Sequence, residues 1–153
     1  MNTPERSRQL FDSGLFCAES ILQAVAEHYQ IRSELIPKIA TGFCSGLSRT
    51  KGTCGAVSGG ILAINLLSGR NTPERSFEKN YVHVQNFLKK FKEKYKTITC
   101  PELIPCDIST VEGLNQFRAL NLIETCKQIV EGATALVIEE LSDQAGHESH
   151  HRL

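Results

Sequence analysis

Apolar residues recur every three or four positions along most of this chain, and no segment alternates singly for long enough to argue a sheet. From about Phe16 to Tyr29 the inward set is Cys17, Ile21, Ala24, Val25 and His28. From Thr72 to about Lys94, Phe77, Tyr81, Val84, Leu88, Phe91 and Tyr95 keep the same spacing. They stand opposite Glu78, Lys79, Lys89, Lys90, Lys92 and Glu93, a charged face interrupted by acids and so read as solvated. A last helix is expected over Leu122–Leu141, with Cys126, Ile129, Val130, Ala133, Leu136, Val137 and Leu141 inside. The segment Gly55–Ser68 is apolar on most sides, which predicts a central helix, with Gly69 as its stop. The pattern predicts an all-α, single-domain compact bundle of about five to seven helices around a central Gly/Ala-rich helix. It covers residues 1–141, and 142–153 reads as a disordered tail.

Start signals sharpen this picture. The hexapeptide Asn-Thr-Pro-Glu-Arg-Ser occurs at Asn2–Ser7 and again at Asn71–Ser76, with no wider repeat around it. Thr as N-cap, Pro at the first helical position and Glu in the first turn predict a helix start at both places. Ser33 is expected to cap a short helix with Pro37 early in it, and Thr110 to start another. Gly42, Ser45, Gly46, Ser48 and Gly52 mark a loop that Cys54 closes, and Pro101 and Pro105 mark a second loop holding Cys100 and Cys106.

Charge changes the picture by what it removes. Lys+Arg and Asp+Glu are equal at 17 each, so no global field draws the chain to nucleic acid or to an acidic membrane. The N-terminus lacks the basic and apolar regions of a signal peptide, and Ala56–Leu67 is too short and too interrupted to cross a bilayer. A cytoplasmic location is expected, in which the six cysteines are reduced, catalytic or metal-binding.

Cys54 carries the strongest chemistry. It precedes a helix start, where free backbone N–H groups and the helix dipole lower a thiol pKa. Gly55, Gly59 and Gly60 strip bulk from beside its sulfur, giving room for a cofactor, a substrate or merely a closely crossing helix. Cys17 and Cys126 sit on apolar helical faces, where a lone cysteine is usually inert. No pair has C-x-x-C spacing, so any shared site has to be assembled by the fold. His147, His150 and His151 lie in the tail, and His28 and His83 are lone helical residues.

Together these pieces resemble a known family. Phe16-Cys17-Ala18-Glu19-Ser20, then Gly52-Thr53-Cys54-Gly55-Ala56-Val57-Ser58-Gly59-Gly60, then Cys100-Pro101-Glu102-Leu103, then Cys126 are similar to the C_GCAxxG_C_C family, whose members are held to be redox-active. Gly46-Leu47-Ser48-Arg49 and Asp107-Ile108-Ser109-Thr110-x-Glu112-Gly113 match as well. The resemblance implies a helical fold and four functional cysteines: Cys17, Cys54, Cys100 and Cys126. Similar sequence in split-Soret cytochromes implies iron–sulfur binding, while the lack of C-x-x-C-H argues against covalent haem. Cys44 and Cys106 stand where the family pattern leads one to expect glycine, and count as accessory thiols that could pair with each other.

Three functions compete on this reading. The first is thiol/disulfide exchange or electron transfer with a partner oxidoreductase, Cys54 acting as nucleophile. The second is an electron carrier that binds an iron–sulfur cluster or other metal ion through the four thiolates. The third is a helical interaction module with inert buried cysteines. The small face of the central helix further suggests a homodimer.

Overall fold

The computed structural model describes residues 1–143; the expected tail falls, beyond its first two residues, outside them. Among the described residues the elements are α1 (Thr3–Asp12), α2 (Cys17–His28), a 3-10 segment (Lys38–Phe43), α3 (Cys44–Arg49), α4 (Gly55–Ser68), α5 (Glu78–Tyr95), α6 (Cys100–Leu103), α7 (Val111–Ala119) and α8 (Leu122–Ser142). The fold is all-α. Eight helices stand among the described residues, and two of them, α3 and α6, are each a short turn inside a loop that carries cysteines. No helix among the described residues is long and apolar enough to cross a membrane.

Helix α4 occupies the centre, packed against α2, α5 and α8. Its small residues let the neighbours close in. A Cβ on Gly59 would lie 2.6 Å from Ala18 Cα, so α2 and α4 touch backbone to backbone. A Cβ on Gly60 would lie 2.4 Å from the Phe87 ring of α5. Helix α2 shares the centre, burying Ala18, Ser20, Ile21, Leu22, Ala24, Val25 and Ala26. Phe87, Phe91, Ile64, Val57, Val130 and Val137 complete the core.

Helix α1 fixes where α8 begins. Its start is a reciprocal cap: Glu5 N donates to Asn2 Oδ1 (2.8 Å) and Asn2 N to Glu5 Oε2 (3.0 Å). The cap is therefore Asn2, one residue before the expected Thr3. Arg8 pairs with Glu124 and Glu131, and Lys127 with Asp12, while Thr134 Oγ1 donates to buried Ser7 Oγ (2.9 Å).

The second hexapeptide behaves differently, and the expectation of a helix start at Thr72 is corrected. Asn71–Ser76 forms an exposed turn, in which the Arg70 guanidinium donates to the carbonyls of Pro73 and Arg75. Helix α5 starts only at Glu78. The first copy is tied to α8 through Ser7; the second has all of its residues exposed, so nothing tertiary selects the helical option. Ser33 also makes a turn instead of a cap: its hydroxyl accepts from Leu35 N, and a cis Ile36–Pro37 bond precedes the 3-10 segment.

Candidate functional site: a four-thiol cavity

One apolar cavity of about 120 Å³ opens at the N-terminal end of α4. Cys17, Cys54, Cys100 and Cys126 all line it, together with Gly55 and Ala56. The four thiols come from four elements: the first residue of α2, the N-cap of α4, the first residue of α6 and the second turn of α8. All six cysteines are free thiols. Arg49 is the single charged residue among those lining the cavity; its other walls include Phe11, Ile104 and Phe117.

Backbone contacts hold the thiols in place. Thr53 and Thr99 form an isolated antiparallel bridge. Its two hydrogen bonds, Cys54 N to the Ile98 carbonyl (2.7 Å) and Cys100 N to the Gly52 carbonyl (3.0 Å), begin at the two cysteines themselves. Cys54 and Cys100, forty-six positions apart in number, are thereby clamped together at the cavity. Gly55 makes room for the third thiol, since a Cβ there would lie 2.2 Å from Cys17 Sγ. Gly46 does the same for Cys100, whose Cβ would be 2.6 Å from an added methyl. The pairing of α1 with Glu124 and Lys127 sets the part of α8 that carries Cys126.

The wall beside Arg49 is built from unusual backbone. Five consecutive residues, Ser45–Arg49, have positive φ between 57° and 64°. A left-handed turn costs an L-residue roughly 1–2 kcal/mol, so the four non-glycine members cost roughly 4–8 kcal/mol together. Local contacts hold it. The Gly46 carbonyl accepts from Thr50 N and Gly52 N, Ser48 Oγ donates to the Gly42 carbonyl (2.8 Å), and Leu47 packs where a Gly52 Cβ would stand. Ser45 and Gly46 line the cavity as a result. Strain of this kind is kept where the surroundings over-determine it, commonly at functional sites.

Beside this wall, the Asp107–Gly113 motif shapes a loop that contributes Ile108 to the cavity lining. Asp107 accepts from Ser109 N (3.0 Å) and pairs with Lys51 (3.2 Å). Thr110 Oγ1 donates to the Asp107 carbonyl (2.9 Å) and accepts from Gly113 N (2.9 Å), starting α7. A Cβ at Gly113 would lie 1.6 Å from the Asp107 carbonyl oxygen, so only glycine fits.

Electrostatics correct the expectation of a low-pKa Cys54. The helix N-terminus is present: the backbone N–H groups of Ala56 and Val57 donate toward the Cys54 sulfur and lower its pKa. Burial outweighs them, and with the nearby Cys100 and Cys44 thiols it pushes Cys54 up to about 11. Burial likewise pushes Cys126 up to about 12, with Cys54, Cys100 and Cys106 adding to it. Burial also raises Cys100 and Cys106. Cys44 is raised strongly, first by its hydrogen bond with the Cys17 thiol and then by burial. Burial thus favours the neutral thiol at Cys54, Cys100 and Cys126 in this apolar pocket.

The other expected residues are placed differently. Gly59 and Gly60 face Ala18 and Phe87, away from the cavity, because α2 and α5 need their missing side chains to approach. Cys44 neighbours Cys17, whereas Cys106 lies toward Cys100 and Cys126. Among the described residues, no three His, Cys, Asp or Glu side chains are close enough to grip a single metal ion. A single tetrahedral ion with metal–sulfur bonds of about 2.3 Å needs its sulfurs nearly in contact. The thiols here surround a space instead.

A family model described as "Putative redox-active protein (C_GCAxxG_C_C)" matches residues 15–140. The chain belongs to the C_GCAxxG_C_C family. The match contains all four cavity cysteines and also Cys44 and Cys106. An uncharacterized protein of Archaeoglobus fulgidus is 28% identical over 149 residues, covering 91% of this chain and 93% of that protein. No solved structure matches the chain. Within the C_GCAxxG_C_C frame, Gly46 and Arg49 emerge as site residues that periodicity does not mark; their signal is the Gly46-Leu47-Ser48-Arg49 piece of the family pattern.

Proposed function

We propose that this protein is a one-electron carrier whose cavity holds an iron–sulfur cluster on Cys17, Cys54, Cys100 and Cys126. The observation that carries this reading is the convergence of four thiols from four separate elements on one apolar cavity of about 120 Å³. When bound, the cluster supplies one-electron transfer at a potential tuned by burial and by hydrogen bonds to sulfur. The chain's own residues supply those two settings. Phe11, Ile104, Phe117 and Ile129 line the space and keep water from it. The N–H groups of Ala56 and Val57 stabilise negative charge on the Cys54 sulfur. Gly55 leaves the volume that the Cys17 sulfur occupies. At the cavity edge Phe16 is 52% exposed and Ile123 is 38% exposed, giving a partner oxidoreductase an apolar point of approach.

Thiol/disulfide exchange through Cys54 has less support. An attacking thiol has to reach its target and be partly ionised. Cys54 is 8% exposed and is pushed up to about 11.

The test is anaerobic reconstitution with ferrous iron and sulfide, followed by desalting. Retained iron and sulfide with visible charge-transfer absorption is the expected result, and Cys54→Ala abolishes it. A colourless protein that keeps no iron and shows a rapidly alkylated Cys54 supports exchange instead.

A further inference from the structure

We infer that Cys17 and Cys44 form a reversible disulfide that takes one of the four thiols out of the cavity, so that oxidation closes the site to iron. The closure rests on the cluster reading above; the disulfide itself does not.

The two residues meet at one point. The Cβ that Gly55 lacks would lie 2.2 Å from Cys17 Sγ and also 3.1 Å from Cys44 Cα. Only glycine at this position lets the sulfur settle against the backbone of Cys44. The thiols are close enough to interact, and Cys44 Sγ donates to the Ala40 carbonyl at 3.7 Å. Cys17 lines the cavity, whereas Cys44 is 4% exposed behind it and is absent from the lining. The pair thus joins a thiol used by the proposed site to one that the site does not use. Cys44 immediately precedes the left-handed turn Ser45–Arg49, and Cys17 is the first residue of α2, after the loop at Gly14.

The chemistry balances with a low-molecular-weight disulfide such as oxidised glutathione. The more exposed Cys17 sulfur attacks one sulfur of the reagent. The reagent's S–S bond breaks, one reduced thiol leaves carrying the Cys17 proton, and a mixed disulfide forms on Cys17. Cys44 then attacks the Cys17 sulfur. The Cys17–Cys44 bond forms, the mixed bond breaks, and the second reduced thiol leaves with the Cys44 proton. Two thiols of the chain are oxidised and one external disulfide is reduced. A dithiol reductant runs the sequence backwards.

The experiment treats anaerobic, metal-free, full-length protein with oxidised glutathione, alkylates what remains, and maps linked peptides by mass spectrometry. A Cys17–Cys44 link as the main product is expected, together with loss of iron retention on later reconstitution and its return after dithiothreitol. Cys44→Ser is expected to keep iron retention after the same treatment. A main link between Cys44 and Cys106 or between Cys54 and Cys100, or a Cys44 that remains alkylated throughout, overturns the pairing. A Cys44→Ser protein as sensitive as the parent overturns the closing role. Reduced parent protein that takes up no iron removes the cluster reading, while the peptide map still decides whether the disulfide exists.

Discussion

The two halves of α4 use the same residue for different ends. At its N-terminus Gly55 makes room for a sulfur, and one turn later Gly59 and Gly60 make room for a helix backbone and an aromatic ring. Around Gly55 the surroundings are a cavity, four thiols and five residues of left-handed backbone. Around Gly59 and Gly60 they are closely packed Ala18 and Phe87, with no room for a side chain. A missing side chain in a helix therefore says only that something comes close; what comes close decides whether the position belongs to function or to packing.

Substitutions sharpen that contrast. The largest effect is expected for Cys54→Ala, which removes the N-cap thiol from the cavity and keeps the backbone N–H that the bridge uses. Retained iron and visible absorption fall to background while the helical circular-dichroism spectrum stays. Gly55→Ala and Gly59→Ala then separate the halves. At Gly59 the added methyl meets backbone that cannot swing away, and overpacking of this kind costs about 1–3 kcal/mol. That corresponds to a melting-temperature drop of roughly 2–12 °C for a chain of this size, with iron retained per folded molecule. At Gly55 the methyl displaces the Cys17 sulfur, so iron retention is lost with the smaller thermal shift. Equal loss of iron in both variants would break the distinction.

A pH series gives a more modest signal. Buried Cys54 and Cys126 bind their protons more tightly in the folded chain, with values pushed up to about 11 and about 12 from an ordinary 9.0. The metal-free fold therefore holds more protons than the unfolded chain above that ordinary value, and its stability falls as pH rises through this window. Below it the contribution is fully present. Thermal melts of metal-free protein from pH 8 to about 11 check the sign; a rise in melting temperature would contradict the burial of these thiols. The smallest effect is expected for Cys44→Ala, which leaves the four cavity thiols in place and keeps most of the iron signal.

Much of this architecture is legible in the sequence because it rests on local rules. The apolar run between Cys54 and Gly69 fixes α4 at Gly55–Ser68, and Thr110 caps α7 through Gly113 N. What was not legible depends on partners far along the chain. The same hexapeptide is a capped helix start where Ser7 meets Thr134 and an open turn where Arg70 gathers the carbonyls. The acidity of Cys54 could not be read from its cap position, since burial by distant helices outweighs two N–H donors. Neither the Thr53–Thr99 bridge nor the left-handed turn after Cys44 leaves a periodic signature, yet these set two of the cavity walls.

The proposed function requires Cys17, Cys54, Cys100 and Cys126 to act as one site. The most direct measurement is a cysteine-by-cysteine alkylation footprint of native protein before and after loading with iron and sulfide. These four are expected to lose reactivity together on loading while Cys106 keeps its own. Protection of Cys54 without the other three, or protection that falls on Cys106 in place of Cys126, would contradict it.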